Sequence, residues 1–190
     1  MPDTAGSEPA PDALPSREKS HDEIIQEAMH ELPYGIYIVG SVRDGEPNGM
    51  IADWVMQLSF RPRLLAVAFE RSSYSLESIR LNRAFTVSLL AEDGMALAGR
   101  FLQPRDGAKI RGRSEQAQAA VHRKLDGIEY GSDARGCPLL DDALAVYECE
   151  AEQFVDTGDH ELVIGRVLAA RVLRSAEPLT SVLTGWSYSG

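Results

Sequence analysis

Three stretches combine residue types that could do chemistry. The first is Pro47-Asn48-Gly49-Met50-Ile51-Ala52-Asp53-Trp54-Val55-Met56-Gln57-Leu58-Ser59-Phe60. It sets an amide, a carboxylate, an indole and small residues on what reads as one strand. Taken alone, Asn48-Gly49 reads equally well as a turn and Trp54 as core. Together they suggest a wall for a flat ligand. Gly49 and Ala52 would leave the backbone open, and its N–H groups could bond a heterocycle edge. The second stretch is Arg71-Ser72-Ser73-Tyr74-Ser75. At a helix start, free N–H groups, hydroxyls and a guanidinium make a small-anion site. An ordinary N-cap at Ser73 with a surface arginine is the simpler reading. The third is Gly158-Asp159-His160-Glu161, before a long apolar run. A turn histidine can donate to a substrate or carry a proton near neutral pH, though most are merely solvated.

The elements that must position these groups follow from periodicity. Ser20-His21-Asp22-Glu23 is a capping box, and Ile24, Ile25, Ala28, Met29 and Leu32 follow at helical spacing until Pro33. Residues 35–42 are β-rich, and Asp44-Gly45 signals a hairpin turn. The partner strand is expected from Gly49 to Leu58, with Pro62 ending it. Leu64 to Phe69 is apolar on both faces, as in a buried strand. A short helix with Leu76, Ile79 and Leu81 inward follows. Phe85, Val87 and Leu89 alternate with Thr86 and Ser88, which predicts a half-buried strand. Met95, Ala98, Phe101 and Leu102 mark one stripe of a further helix. Residues 104–136 carry a weak pattern and read as a long loop or lid with one short helix. Tyr147, Cys149 and Ala151 alternate with acidic side chains, so one face is core and the other solvent. Residues 162–173 form the last long strand, and Trp186 and Tyr188 lie near the terminus.

The 190 residues suit one domain with a real core. Residues 1–19 have almost nothing to bury and read as a disordered tail, leaving 20–190 as the domain. Lys+Arg 19 against Asp+Glu 29 gives −10, which disfavours nucleic acid and anionic membrane as partners. Cys137 and Cys149 have no metal or redox spacing, and the four histidines show no ligand spacing. With no signal segment and no run near about 20 apolar residues, a cytoplasmic location is expected. There is no G-x-S-x-G, no P-loop and no G-x-G-x-x-G after a strand. Six or seven strands without β-α-β alternation predict a mainly β protein: a closed antiparallel barrel with peripheral helices.

In this order and spacing, the stretches resemble the flavin reductase-like family of FMN-binding split barrels, an antiparallel Greek-key type. The matching segments are 33–39, 48–55 with 58–62, 65–68, 71–75, 85–90, and 158–160 with 165–167. The resemblance implies a homodimer with FMN near the subunit interface (FAD as the alternative) and NAD(P)H as hydride donor. It places Asn48, Gly49, Met50, Ile51, Ala52, Asp53 and Trp54 along the isoalloxazine and ribityl chain, and Ser59 beside the ring. Arg71, Ser72, Ser73, Tyr74 and Ser75 would hold the phosphate, and His160 would face the nicotinamide. The family usually has a hydroxyl where this chain has Ile51, and often Ser or Asn at Asp53. An ionised Asp53 would repel a reduced, anionic flavin unless a cation pairs with it.

The resemblance implies an NAD(P)H:flavin oxidoreductase that delivers reduced flavin to a partner oxygenase or passes electrons onward. An FMN-holding electron carrier reduced by a partner protein uses the same pocket, and haem or another cofactor in the same barrel is a third reading. Arg105, Arg111 and Arg113 could meet a 2′-phosphate, although solvated loop charges are the simpler explanation.

Overall fold

The computed structural model describes residues 18–102 and 123–186. Residues 1–17 of the tail expected over 1–19, residues 104–122 of the loop expected over 104–136 with its three arginines, and Tyr188 lie outside the described residues. The chain divides into two units, residues 1–32 with 188–190 and residues 33–187.

In the first unit, helix α1 spans His21–His30. The capping box forms as its spacing predicts: Glu23 N–H donates to Ser20 Oγ at 3.2 Å, and Ser20 N–H donates to Glu23 Oε2 at 2.6 Å. The Ser20 N–H holds the Glu23 carboxyl below its ordinary value. No residue of α1 is buried, and Ile24, Ile25 and Met29 are all about half exposed.

The second unit is built on strands β1 Tyr37–Arg43, β2 Glu46–Ala52, β3 Val55–Phe60, β4 Arg63–Glu70, β5 Ala84–Leu89, β8 Ala145–Asp156 and β9 His160–Val172. Helices α2 Tyr74–Asn82, α3 Met95–Phe101 and α4 Ser181–Thr184 lie between or after them, and β6 Tyr130–Ser132 pairs with β7 Pro138–Leu140. The large sheet has the order β2-β1-β5-β8-β9-β4-β3, with every pairing antiparallel.

That order dictates the shape. β2 and β3 are the two edges of a seven-stranded sheet, yet only Asp53 and Trp54 separate them in the chain. A flat sheet of this width would place its edges roughly 29 Å apart. Two linking residues reach far less, on the order of 10 Å. The sheet must therefore roll until its edges nearly meet. This corrects the single strand expected over 49–58. β2 ends at Ala52 on β1, and β3 begins at Val55 on β4, where Val55 faces Val67. At the corner, Val55 N–H donates to Asp53 O at 2.9 Å and Ala68 N–H donates to Trp54 O at 3.1 Å.

The hairpin turn between β1 and β2 is Asp44-Gly45, both at positive φ (54° and 79°), as such a two-residue turn requires. Alternation along β1 feeds two clusters. Val39 joins Val67, Phe69, Phe85 and Val163, while Ile38 joins Leu90, Phe101, Leu139 and Leu140. Because the β6–β7 hairpin brings Leu139 and Leu140 to the second cluster, β5 is buried on both faces. Thr86 and Ser88 are thus core residues. Thr86 Oγ1 donates to Pro138 O, and Leu140 N–H donates to Ser88 Oγ at 3.2 Å. The half-buried strand expected there is corrected by this extra layer. In α2, Leu76 and Ile79 are buried as expected but Leu81 is 66% exposed. In α3, Ala98 and Phe101 are buried, whereas Leu102 is exposed. Within the expected loop, 123–127 is a turn and 130–132 is β6. Among the described residues no helix is long and apolar enough to cross a membrane.

Candidate functional site

The barrel corner carries Asp53 and Trp54, both half-buried. Rolling the sheet brings this corner beside β9, because β4 lies between β3 and β9 and pairs Glu70 with His160. The Trp54 and His160 rings meet at 4.9 Å between centroids, tilted by 45°. Tyr34 flanks the indole at 6.5 Å. The result is a shelf of aromatic rings at the end of the barrel, next to a carboxyl group. Burial raises the Asp53 carboxyl above its ordinary value, against the opposing pull of the Asp53 and Trp54 backbone N–H groups and of His160.

His160 opens β9 directly after the turn at Gly158, whose φ is +97°. Asp159 Oδ1 lies 2.7 Å from His160 Nδ1, and this contact holds the Asp159 carboxyl below its ordinary value. A hydrogen bond to Nδ1 orients the ring. The imidazole is largely buried while Asp159 is 87% exposed, so the pair stands at the rim.

The second stretch follows β4 directly and leads into α2. Ser73 caps α2, accepting from Leu76 N–H at 3.1 Å. Asn48 Nδ2 donates to Ser75 Oγ at 3.1 Å, and both residues are buried. This bond ties β2 to the start of α2, so the first two stretches form one wall. Ser72 is exposed, and the Arg43 guanidinium lies 5.3 Å from the Tyr74 ring centroid. The Arg71 guanidinium does not project alone. Its Nε donates to Gly158 O and its Nη2 to Asp156 Oδ1. The second and third stretches are thus joined as well.

Not every candidate serves as its residue type suggests. Gly49 is buried, and a Cβ there would lie 2.4 Å from the Phe101 ring. Its small size makes room for Phe101, not for a ligand. Ala52 is likewise buried, in the first cluster. Met50 packs against the first cluster and Ile51 against the second, both half-exposed. Ser59 pairs with Leu64, beyond a register shift in β3. It is separated from Trp54 by roughly 16 Å of extended chain.

Sequence patterns gave no warning of Lys124. It is buried, and its Nζ donates to Gly49 O at 3.4 Å. The ammonium therefore stands against the backbone of the β2 wall. It comes from the stretch with no usable periodicity. Tyr34 and Asp156 were also unmarked, because each acts through a partner distant in the chain.

The donor set suits a flat heterocycle bearing an anionic tail. Aromatic faces and half-buried apolar side chains lie at the corner, and the positive end of α2 lies beside them. A flavin nucleotide has this form.

Comparisons with known proteins agree. The family model described as "Flavin reductase like domain" matches residues 29–184. A ferric-chelate reductase (NAD(P)H) of Archaeoglobus fulgidus is 35% identical over 156 residues, covering 81% of this chain and 85% of that protein. A high molecular weight rubredoxin of Moorella thermoacetica is 34% identical over 80% of this chain, which spans 62% of that protein's length. Among solved structures, the flavin reductase component BorF of a bacterial two-component tryptophan halogenase superposes with a TM-score of 0.69. It has 25% identity, covering 86% of this chain and 94% of that one.

Proposed function

The chain belongs to the flavin reductase-like family, and we propose that it works as an NAD(P)H-dependent flavin reductase with FMN as its flavin. A bound flavin would supply the redox chemistry, accepting hydride at N5 from the nicotinamide C4. The protein's own residues supply orientation, charge and exclusion of water. The single observation that carries this reading is the meeting of Trp54 and His160 at the barrel corner, joined through Asn48 and Ser75 to the start of α2.

In this reading Trp54, Met50 and Ile51 pack along the flavin, and Asn48, Gly49 and Ala52 set the backbone of the wall. The start of α2, from Ser72 to Ser75, holds the phosphate through its first N–H groups, with Arg71 at the edge. His160 stands on the nicotinamide side, with its ring oriented by Asp159. Asp53 sits close enough to influence the reduced flavin, and burial makes its carboxyl hold the proton more tightly than a free aspartate does. Ser59 acts further along β3. Reduced flavin then passes to a partner oxygenase or another electron acceptor.

The same reading includes a homodimer. Met56, Leu58 and Phe60 on edge strand β3 are 59%, 41% and 82% exposed, a density of apolar surface suited to a subunit contact.

Anaerobic mixing with FMN and NADH or NADPH tests the reaction. Bound flavin is expected to bleach faster than free flavin. Equal rates with both nucleotides sink the reductase reading. Tight FMN retention without bleaching would instead mark an electron carrier.

A further inference from the structure

A guanidinium next to a hydroxyl-rich helix start invites assignment as a phosphate ligand. The contacts of Arg71 say otherwise. Nε donates to Gly158 O, Nη2 to Asp156 Oδ1, and the Arg71 backbone N–H to Asp159 O at 3.3 Å. Asp156 is the last residue of β8, and Gly158 and Asp159 lie in the turn between β8 and β9. Asp156 Oδ1 also accepts from Gly158 N–H at 3.1 Å, so one carboxylate closes the turn and anchors the arginine together. The residue after Asp159 is His160, bonded to Asp159 and tilted against the Trp54 ring. Arg71 therefore holds the segment from which the imidazole projects.

We propose that Arg71 is a positioning residue for His160, fastening the turn that carries the imidazole, and not the ligand of an anionic phosphate. The functional consequence rests on the reductase reading; the geometry does not.

Charge supports the assignment. Asp156, Asp159 and Glu161 all act on Arg71. Glu161 is paired with Arg80, so three carboxylates here face two guanidinium groups. A phosphate dianion at Arg71 would sit beside Asp156, whose carboxylate already takes the Nη2 donor. The planar fork of arginine suits the observed role, since it serves a carbonyl and a carboxylate at once.

The test uses R71Q and D156N. First, the His160 ring protons are followed by NMR without ligand. In the unaltered protein the Trp54 ring current displaces them from ordinary imidazole positions. Both variants are expected to move them back by similar amounts, with little change in thermal midpoint. Second, both are expected to raise the KM for the nicotinamide roughly fivefold while kcat changes less, which marks lost positioning of a binding group. Third, the ratio of FMN to riboflavin affinity should stay as in the unaltered protein. Unmoved His160 signals in R71Q overturn the proposal. So does a loss of FMN affinity without loss of riboflavin affinity in R71Q, together with tighter FMN in D156N. That pattern would make Arg71 a phosphate ligand with Asp156 as its competitor. If the unaltered protein reduces no flavin, the reductase reading falls alone, because the ligand-free NMR comparison still decides the role of Arg71.

Discussion

The imidazole of His160 rests against the indole of Trp54, 4.9 Å between ring centroids, although 106 positions separate them in the chain. One ring comes from the corner between two edge strands and the other from the first residue of β9. Their tasks should separate in experiment. Trp54→Ala is expected to weaken FMN binding roughly tenfold, the scale of a lost aromatic contact. His160→Ala should leave FMN affinity within about twofold and lower kcat/KM for the nicotinamide roughly tenfold. Flavin fluorescence titration and stopped-flow reduction measure the two. An unchanged nicotinamide rate in His160→Ala would remove it from that step.

Asp53 gives a pH signature. Burial raises its carboxyl above the ordinary value, so the folded state holds the proton more tightly than the unfolded chain. Its contribution to stability is complete below about pH 3.9, the unfolded value, and is lost as pH rises through the folded value. At neutral pH the ionised group is a cost. Asp53→Asn should therefore raise Tm by roughly 2 °C at pH 7, with the gain vanishing toward pH 4. A difference that stays constant across this range would contradict the assignment.

Gly49 is tied to Phe101. An alanine Cβ would sit 2.4 Å from the ring, and the surrounding core has no slack on either side. Gly49→Ala should destabilise by about 1–3 kcal/mol. Adding Phe101→Leu should recover part of that loss in urea unfolding. Additive losses would show that the clash is not with Phe101.

Glu161 is buried, with one oxygen bonded to Arg80 and Oε1 without a hydrogen-bond partner among the described residues. Removing the cation strands the carboxylate. Arg80→Met should cost about 2–3 kcal/mol, more than Glu161→Gln, which removes the charge itself. The opposite ranking in chemical denaturation would mean that the packing of Arg80 on Phe154, 5.2 Å from guanidinium to ring centroid, dominates.

Cys137 and Cys149 are free and buried, and burial pushes both thiols up to about 12. Neither should react with a thiol reagent at pH 8 until the protein unfolds. Fast labelling of the native protein would refute this.

Much of this architecture was legible in the sequence. Asp44-Gly45 announced its turn, Ser20 and Glu23 their capping box, and the acidic alternation along β8 its solvent face. These signals are local. The split at Asp53-Trp54 was not legible, because two strands separated by two residues look like one strand with polar interruptions. The burial of Thr86 and Ser88 was hidden for a related reason. Their partners lie on β7, 52 positions away. Among the candidate site residues, Trp54 meets His160 and Asn48 bonds Ser75. Gly49 was misleading, since a glycine that admits a ligand and one that admits a phenyl ring look the same in a sequence. The partner of Arg71 was hidden too, because Asp156 lies 85 positions on.

The two-residue corner also fixes when the site can exist. The β1–β2 and β3–β4 hairpins are neighbours in the chain, and each can form soon after synthesis. Within the sheet, however, β5, β8 and β9 stand between them, and those last two strands come from residues 145–172. Until they arrive, Trp54 has no His160 to meet and the two hairpins have nothing to hold them at the right separation. Closure thus waits on contacts of long sequence separation, the slow class in folding. A nascent chain that has emerged only through β5 has Asn48, Trp54 and α2 but no His160 to set beside them.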